Sequence, residues 1–560
     1  MPVTAMVRSP LPHGEEMAAT CRHSQWGTLN LSLSRGGIRS WLGIPMPERC
    51  SILLATLNAS YPHAAFGLRY LLANMAELAE RTALAEFTIN QRPLEIAEAI
   101  LAREPSIVGL GVYIWNTAPT QEVVAILKRV RPELIVVLGG PEVSYETEEQ
   151  EIVRLADYTI TGEADLAFRD LCRELVEGRM PERKIIAAPL PHFEQLALPY
   201  HLYGEADIAS RVVYVEASRG CPFTCEFCLS SLDIPVRAVA LDRLLPALED
   251  LLERGLRQFK FVDRTFNLNL NTSRTLLLFF LDRMRPGLFL HFEMIPDRLP
   301  EGLREIIAQF PPGALQFEVG IQTFDEVASQ NISRRNNHVR TEENFRYLRG
   351  STGVHIHADL IVGLPGEDVA SFGRGFDRLL AMGPQEIQVG ILKRLRGTPI
   401  VRHDAAWGMV YAAHPPYDVL QTKLIPFPEM QEMRRFAKYW DLIGNSGNFS
   451  GTLALITGTG DSAFAAMRRL AAFLWERTGM IDGIALLRLT ELVFRWLTEE
   501  NTAGPADVAP VLWADYIRPG RHGDRPPRWL AAHLPESARN QTPSPRPAAL
   551  PSRQARHAGG

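Results

Sequence analysis

From Ser51 onward the chain alternates short apolar runs with stretches of helical period, and no other feature restricts its fold as tightly. The runs at 51–57, 87–89, 107–112, 134–138 and 158–160 lack polar alternation, the mark of strands buried on both faces. Helix-period segments near 65–82, 93–104, 118–131, 143–155 and 164–177 separate and follow them. Parallel strands need crossover helices, so five such units predict a doubly wound, flavodoxin-like α/β sheet. Sheets of that kind bind ligands beyond the carboxyl ends of their strands. The loops there read Asn58-Ala-Ser-Tyr61, Tyr113-Ile-Trp-Asn116, Gly139-Gly-Pro-Glu142 and Thr161-Gly-Glu163. No Gly-x-Gly-x-x-Gly follows the first run, which argues against a dinucleotide.

A linker holding Pro189, Pro191 and Pro199 leads to a second series of runs at 211–217, 258–262, 289–293, 316–320, 355–362 and 386–391. Six strands with helices between them predict a six-unit β/α partial barrel, since an eight-unit barrel needs roughly 250 residues. By alternation Glu318, His355, His357 and Asp359 face inward, which a purely packing interior avoids. Apolar residues at three and four spacing at 461–478 and 483–498 predict a small helical domain. The expected organisation is a flexible leader (1–48), the first α/β domain (49–182), the barrel (207–425), the helical domain (426–515) and a disordered Pro/Arg-rich tail (516–560). The tail reading rests on residues 501–560, which hold 10 of the 40 prolines and 8 arginines against 4 acidic residues.

Charge excludes some partners. Lys+Arg 59 against Asp+Glu 64 leaves a net charge of -5, so bulk electrostatics favours neither nucleic acid nor an anionic membrane. No segment reaches the roughly 18 apolar residues of a membrane helix, and residues 1–20 lack a signal-peptide core. Six cysteines in 560 residues do not make a disulfide scaffold, which points to a cytoplasmic protein. Cys21, Cys50 and Cys172 are isolated, whereas Cys221, Cys225 and Cys228 fall within eight positions, directly after the first barrel strand.

That cluster reads Ser218-Arg-Gly-Cys221-Pro-Phe-Thr-Cys225-Glu-Phe-Cys228. A structural zinc wants four tetrahedral ligands, and the next histidine is His291. Three thiolates on one loop instead suit a cubane with one iron left open to an external ligand. The Cys-x-x-x-Cys-x-aromatic-Cys pattern, with Phe227 at the aromatic position, resembles the radical S-adenosylmethionine (SAM) superfamily. The resemblance implies a [4Fe-4S] cluster on the three cysteines and reductive cleavage of SAM to a 5'-deoxyadenosyl radical. Three further segments resemble that family: Phe261-Val-Asp-Arg-Thr-Phe-Asn267, Glu318-Val-Gly-Ile-Gln322 and Asp359-Leu-Ile-Val-Gly-Leu-Pro-Gly-Glu367. They imply SAM contacts at Asp263, Asn267, Glu318, Gln322, Gly363 and Leu364, beside Phe227.

A doubly wound domain ahead of such a barrel is the order of cobalamin-binding radical SAM proteins. This implies cobalamin contacts at Asn58, Tyr61, Tyr113, Trp115, Asn116, Gly139, Gly140, Glu142, Gly162 and Glu163. The segments around Tyr439-Trp-Asp441 and Asn445-Ser-Gly-Asn-Phe449 look like the C-terminal domain of an uncharacterised branch. One departure stands out: the Asp-x-His-x-x-Gly segment that ligates cobalt from below in methionine-synthase-like domains is absent, and His63 lacks the preceding Asp. The implied activity is C-methylation of a small-molecule or peptide substrate, with flavodoxin or ferredoxin as electron donor. The alternatives are cobalamin-dependent cyclisation, oxidation or rearrangement, and a non-catalytic cofactor-binding sensor. Tyr214, Glu216, His355 and His357 could accept a proton, but nothing in the sequence selects any of them as catalytic.

Overall fold

The structure, a computed structural model, describes residues 50–539 apart from 234, 459, 461 and 518–524. The expected leader and the last 21 residues of the expected tail lie outside the described residues, as does Cys21. The first sheet contains β1 (Ile52–Asn58), β2 (Thr82–Thr88), β3 (Ile107–Gly111), β4 (Ile135–Gly139), β5 (Tyr158–Thr161) and β6 (Ile185–Ala187). All pairs are parallel, in the order β2-β1-β3-β4-β5-β6. The chain leaves β1 toward one side and returns at β3 on the other, so the crevice at their carboxyl ends is the topological switch point.

Two details differ from the sequence reading. Thr82-Ala-Leu-Ala-Glu86 has helical composition, and the sequence reading ends a helix near 82 and opens the strand only at Phe87, yet this segment forms most of β2, because pairing along the whole of β1 buries it. Strand β6 lies in the stretch read as linker, too short to show a pattern.

The second sheet runs β7 (Val213–Val215), β8 (Gln258–Phe261), β9 (Phe289–Met294), β10 (Leu315–Gln322), β11 (His355–Val362) and β12 (Glu386–Ile391). Neighbours in sequence are neighbours in space and all are parallel, which is the six-unit partial barrel expected. Such a sheet leaves β12 as an edge. The helical domain covers it: Asn445 accepts from the Ile387 amide at 2.9 Å and donates to the Ile387 carbonyl at 2.9 Å. Trp440 Nε1 donates to the same carbonyl at 2.7 Å. Trp440 and Asn445, from the segments that carried the C-terminal resemblance, are therefore edge-closing groups.

The helical domain comprises helices Phe427–Ile443, Ser450–Thr457, Ala463–Thr478, Leu486–Arg495 and Pro505–Ile517. Phe436, Trp440 and Phe464 pack around Phe376 of the barrel helix Val369–Ala381. Order continues into the stretch expected to be a tail: Arg528–Ala531 is helical, and Leu530 and Leu534 are buried in the main core.

Two polar seams join the first domain to the rest. In one, Arg69 meets Glu86 at 3.0 Å and Asp207 at 2.9 Å, while Arg211 meets the same carboxylates at 2.7 and 3.0 Å. All four side chains are buried, so each charge depends on the others. In the other, Glu142 accepts from Tyr417 Oη at 2.6 Å and Arg396 Nε at 3.1 Å, and Glu146 takes Arg394 and Arg396 at 3.0 Å each.

Candidate functional site

The cysteine loop leaves the carboxyl end of β7 and is held by its own backbone. Cys221 N donates to Asp233 O at 3.1 Å, and Ser231 Oγ donates to the carbonyls of Cys225 (2.9 Å) and Cys228 (2.6 Å). Gly220 turns the loop at φ 90°, where a Cβ would lie 2.6 Å from Asp233 O, so only glycine fits. Cys221 and Cys225 are buried and Cys228 is half-buried. Burial pushes the Cys221 thiol up.

All three cysteines line one cavity of about 320 Å³, together with Phe227, Arg264, Glu293, Glu318, Gln322 and Arg334. Arg334 Nη1 donates to Cys225 Sγ at 3.5 Å. Among the described residues no three His, Cys, Asp or Glu side chains are placed to hold a single metal ion. The thiols instead ring a space, with no fourth cysteine and no histidine on its wall. That donor set fits a [4Fe-4S] cluster with one iron open, because a cubane spreads its ligands wider than a tetrahedral ion does.

Of the expected SAM contacts, Phe227, Glu318 and Gln322 line this cavity. Glu318 is held well down, to about 2: burial raises it, but the His291 side chain 3.1 Å away outweighs burial. Gln322 sits at φ 72°. The other four do not line the cavity. Asp263 accepts from Ala217 N at 2.9 Å and Ser218 Oγ at 2.6 Å, and burial pushes it up to about 7. Asn267 pairs with the backbone of Ile295, donating at 2.9 Å and accepting at 2.8 Å. Leu364 is fully buried, and Gly363 packs against Val419. All four brace the walls. Glu367, the last residue of the same motif, accepts from Thr323 Oγ1 at 2.7 Å and is pushed up to about 8 by burial.

A second cavity, of about 370 Å³, opens where the first sheet meets the barrel. Gly109 and Gly111 on β3 and Gly139 on β4 contribute backbone without side chains, and Phe66, Tyr70, Tyr113 and Phe168 form apolar walls. At Gly139 an added Cβ meets nothing nearer than 3.7 Å, so a side chain there would fill the cavity. Gly140 is different: at φ 108° its Cβ would lie 2.5 Å from Val112 O, so it is fixed by conformation and packing. A flat-walled, glycine-floored cradle at a topological switch point fits a large cofactor such as cobalamin.

Of the expected cobalamin contacts, Tyr113, Gly139, Gly140, Gly162 and Glu163 line this cavity. The other five lie off it. Asn58 donates to Glu86 at 3.0 Å, Asn116 is fully buried under the Leu57 and Gly111 carbonyls, and Glu142 belongs to the second seam. Tyr61 lies under Arg211, and Trp115 stacks on the outside of Tyr113 at 4.5 Å. His63 hydrogen-bonds Tyr214 Oη at 2.5 Å and is not part of the lining. His355 is tied to Glu386 at 2.8 Å, away from both cavities.

Sequence reasoning missed the residues between the cavities. Arg219 lines the second cavity two positions before Cys221 lines the first; it pairs with Glu163 (2.8 Å), Asp165 (3.0 Å) and Glu216 (3.0 Å) and lies over the Tyr70 ring. Arg264 lines both cavities, with Nη1 on Glu293 at 2.8 and 3.1 Å and about half of its side chain, 49%, accessible. Both arginines sit inside quoted motifs, and only the fold shows that their side chains reach the junction.

Residues 52–172 match the "B12 binding domain" family and residues 215–378 the "Radical SAM superfamily". Residues 405–544 match "Protein of unknown function (DUF4080)". The chain belongs to the cobalamin-binding radical SAM superfamily, whose cofactors are cobalamin, a [4Fe-4S] cluster and SAM. An uncharacterized methyltransferase of Pyrococcus horikoshii is 30% identical over 201 residues, covering 31% of this chain and 43% of that one. The cobalamin-dependent radical SAM methyltransferase TokK of Streptomyces tokunonensis is 25% identical over 350 residues, 53% of this chain and 48% of that one. The chain thus spans about half the length of the curated relatives it matches. The cobalamin-dependent SAM radical enzyme OxsB, solved with aqua-cobalamin, shares the fold at a TM-score of 0.56 and 13% identity, over 81% of this chain and 80% of that one. No helix among the described residues is long and apolar enough to cross a membrane.

Proposed function

We propose that this protein transfers a methyl group to an unactivated carbon of a small molecule by radical chemistry. The observation that carries the reading is the pair of adjoining cavities that share Arg264, one floored by glycines and one ringed by three thiols. The bound cofactors supply one-electron cleavage of SAM and a carrier for the methyl group.

The chain's own contribution is positioning and enclosure. Cys221, Cys225 and Cys228 hold the cluster and leave one iron for SAM. Glu318 and Gln322, both on β10, line the same cavity as the cysteine loop and would orient SAM, with Phe227 adding an apolar contact. Tyr113, Gly139, Gly140, Gly162 and Glu163 take cobalamin at the sheet end. The substrate carbon is presented at the junction, where Arg264 and its partner Glu293 form the wall. A flavodoxin or ferredoxin would deliver the electron.

The methyltransferase names of several curated relatives favour methyl transfer, while a further relative named a cyclase keeps cyclisation as the second reading. The test is anaerobic reconstitution with cobalamin, strong reductant and methyl-labelled SAM, with candidate substrates screened by mass spectrometry. Labelled product appearing together with 5'-deoxyadenosine supports the reading. A product lacking the label points to a rearrangement or oxidation, and absence of SAM cleavage sinks the enzymatic reading.

A further inference from the structure

Glu226, one of the two residues between the second and third cysteines, is the most heavily bound side chain from Cys221 to Cys228, and neither cavity uses it. Glu226 is buried at 3% side-chain exposure. Its carboxylate accepts from Ser333 Oγ at 2.6 Å, from His403 at 2.9 Å and from Arg402. The backbone joins in: Glu226 N donates to Ile332 O at 3.1 Å, and Ile400 N donates to Glu226 O at 3.0 Å. Two segments distant in sequence, 332–334 and 399–403, thus converge on a single loop residue.

These segments are themselves placed with care. Ser333 holds φ 56°, a left-handed conformation that costs a non-glycine residue on the order of 1–3 kcal/mol. Its neighbour Arg334 donates to Cys225 Sγ at 3.5 Å and to the Gly320 carbonyl. Residues 399–403 form a turn after the last barrel strand and run into the short helix Asp404–Trp407. A buried carboxylate with three side-chain donors loses far more when one partner goes than a surface pair does.

We infer that Glu226 is a positioning residue: through it the 399–403 turn and Ser333 hold the three thiols in their cluster-binding arrangement. This rests on the cluster reading of the cysteines. The stretch that follows the last barrel strand thereby has a role in retaining the cluster, apart from any contact with substrate. Groups that orient metal ligands typically contribute about 10- to 100-fold in metal retention.

The test reconstitutes full-length wild type, Glu226→Ala, His403→Ala and the double variant anaerobically with iron and sulfide. Three readouts follow: iron and sulfide per chain, the rate of cluster loss to a chelator, and the EPR spectrum of the reduced cluster. Glu226→Ala is expected to lose the cluster about tenfold faster, with an altered EPR spectrum and a thermal midpoint near wild type. His403→Ala should show a smaller effect in the same direction, and the double variant should be no faster than Glu226→Ala alone. If Glu226→Ala does not fold, His403→Ala carries the test. Wild-type retention and EPR in these variants, or additive losses in the double, overturn the clamp. A wild type that takes up no cluster overturns the cysteine assignment instead.

Discussion

The two cavities are built in opposite ways. The thiol cavity is defined by what its walls carry: three thiols, an acidic and an amide side chain on β10, and four arginines. The glycine-floored cavity is defined by what its floor lacks, since Gly111 and Gly139 present backbone where other residues carry a side chain. A reactive cofactor anchored by bonds needs donors at fixed positions, whereas a large planar one needs room and flat contact. The first kind of site tolerates no loss of a side chain, and the second tolerates no gain of one.

The largest expected effect sharpens the first half of that contrast. Cys225→Ala should bring SAM cleavage to background and remove the cluster absorbance, while cobalamin retention stays at the wild-type level. Co-loss of cobalamin would show that the two sites are not separately built.

Next comes the seam that keeps the cavities adjoining. Glu86→Ala leaves Arg69 and Arg211 without their shared carboxylate and is expected to cost on the order of 3–5 kcal/mol, read from denaturant melts. The same carboxyl gives a pH signature. Burial raises Glu86, but Arg69 and Arg211 outweigh it and hold the group down at about 2, below the ordinary 4.5. A depressed carboxyl contributes stability above pH 4.5, and that contribution is lost as the pH falls from 4.5 through about 2. Glu86→Gln should flatten the acid limb in that window; an unchanged limb would remove Glu86 from the account.

The second half of the contrast is tested by adding atoms. A Cβ added at Gly139 meets nothing closer than 3.7 Å, so Gly139→Val should fold, yet its side chain intrudes on the cavity floor. Overpacking of about 1–3 kcal/mol predicts roughly tenfold or greater weakening of cobalamin retention, measured by dialysis, with cluster content unchanged. The smallest effect is at the rim. Trp115 stacks outside Tyr113, so Trp115→Ala should cost only about 0.5–1.5 kcal/mol and leave cobalamin retention within a few-fold.

The same contrast explains what was legible beforehand. Cys221, Cys225, Cys228 and Phe227 carry chemistry at a fixed spacing and were readable at once. The sheets were legible because burial writes long apolar runs, and the six barrel strands all fell where those runs lie. Residue roles within a motif were less so: Asp263 and Asn267 stand in a suggestive segment but serve backbone groups of neighbouring loops. Asn116 and Glu142 likewise turned from ligand candidates into a carbonyl cap and a seam residue, since a polar side chain near a strand end can serve either purpose. Empty space has no residue signature at all; Gly109 and Gly111 were part of an ordinary apolar run until β3 placed them on one face. Arg264 and Glu226 acquire meaning only through partners 29 and 177 positions away.

The central claim is that one chamber joins the two sites, with cobalt at the glycine floor and iron at the three thiols. Anomalous diffraction at the iron and cobalt edges from crystals of the chain loaded with both cofactors tests it directly. The account predicts an iron peak enclosed by Cys221, Cys225 and Cys228 and a cobalt peak in the cavity lined by Tyr113 and Gly139, with Arg264 at the passage between them. A cobalt peak outside that cavity, or iron bound without all three cysteines, would contradict it.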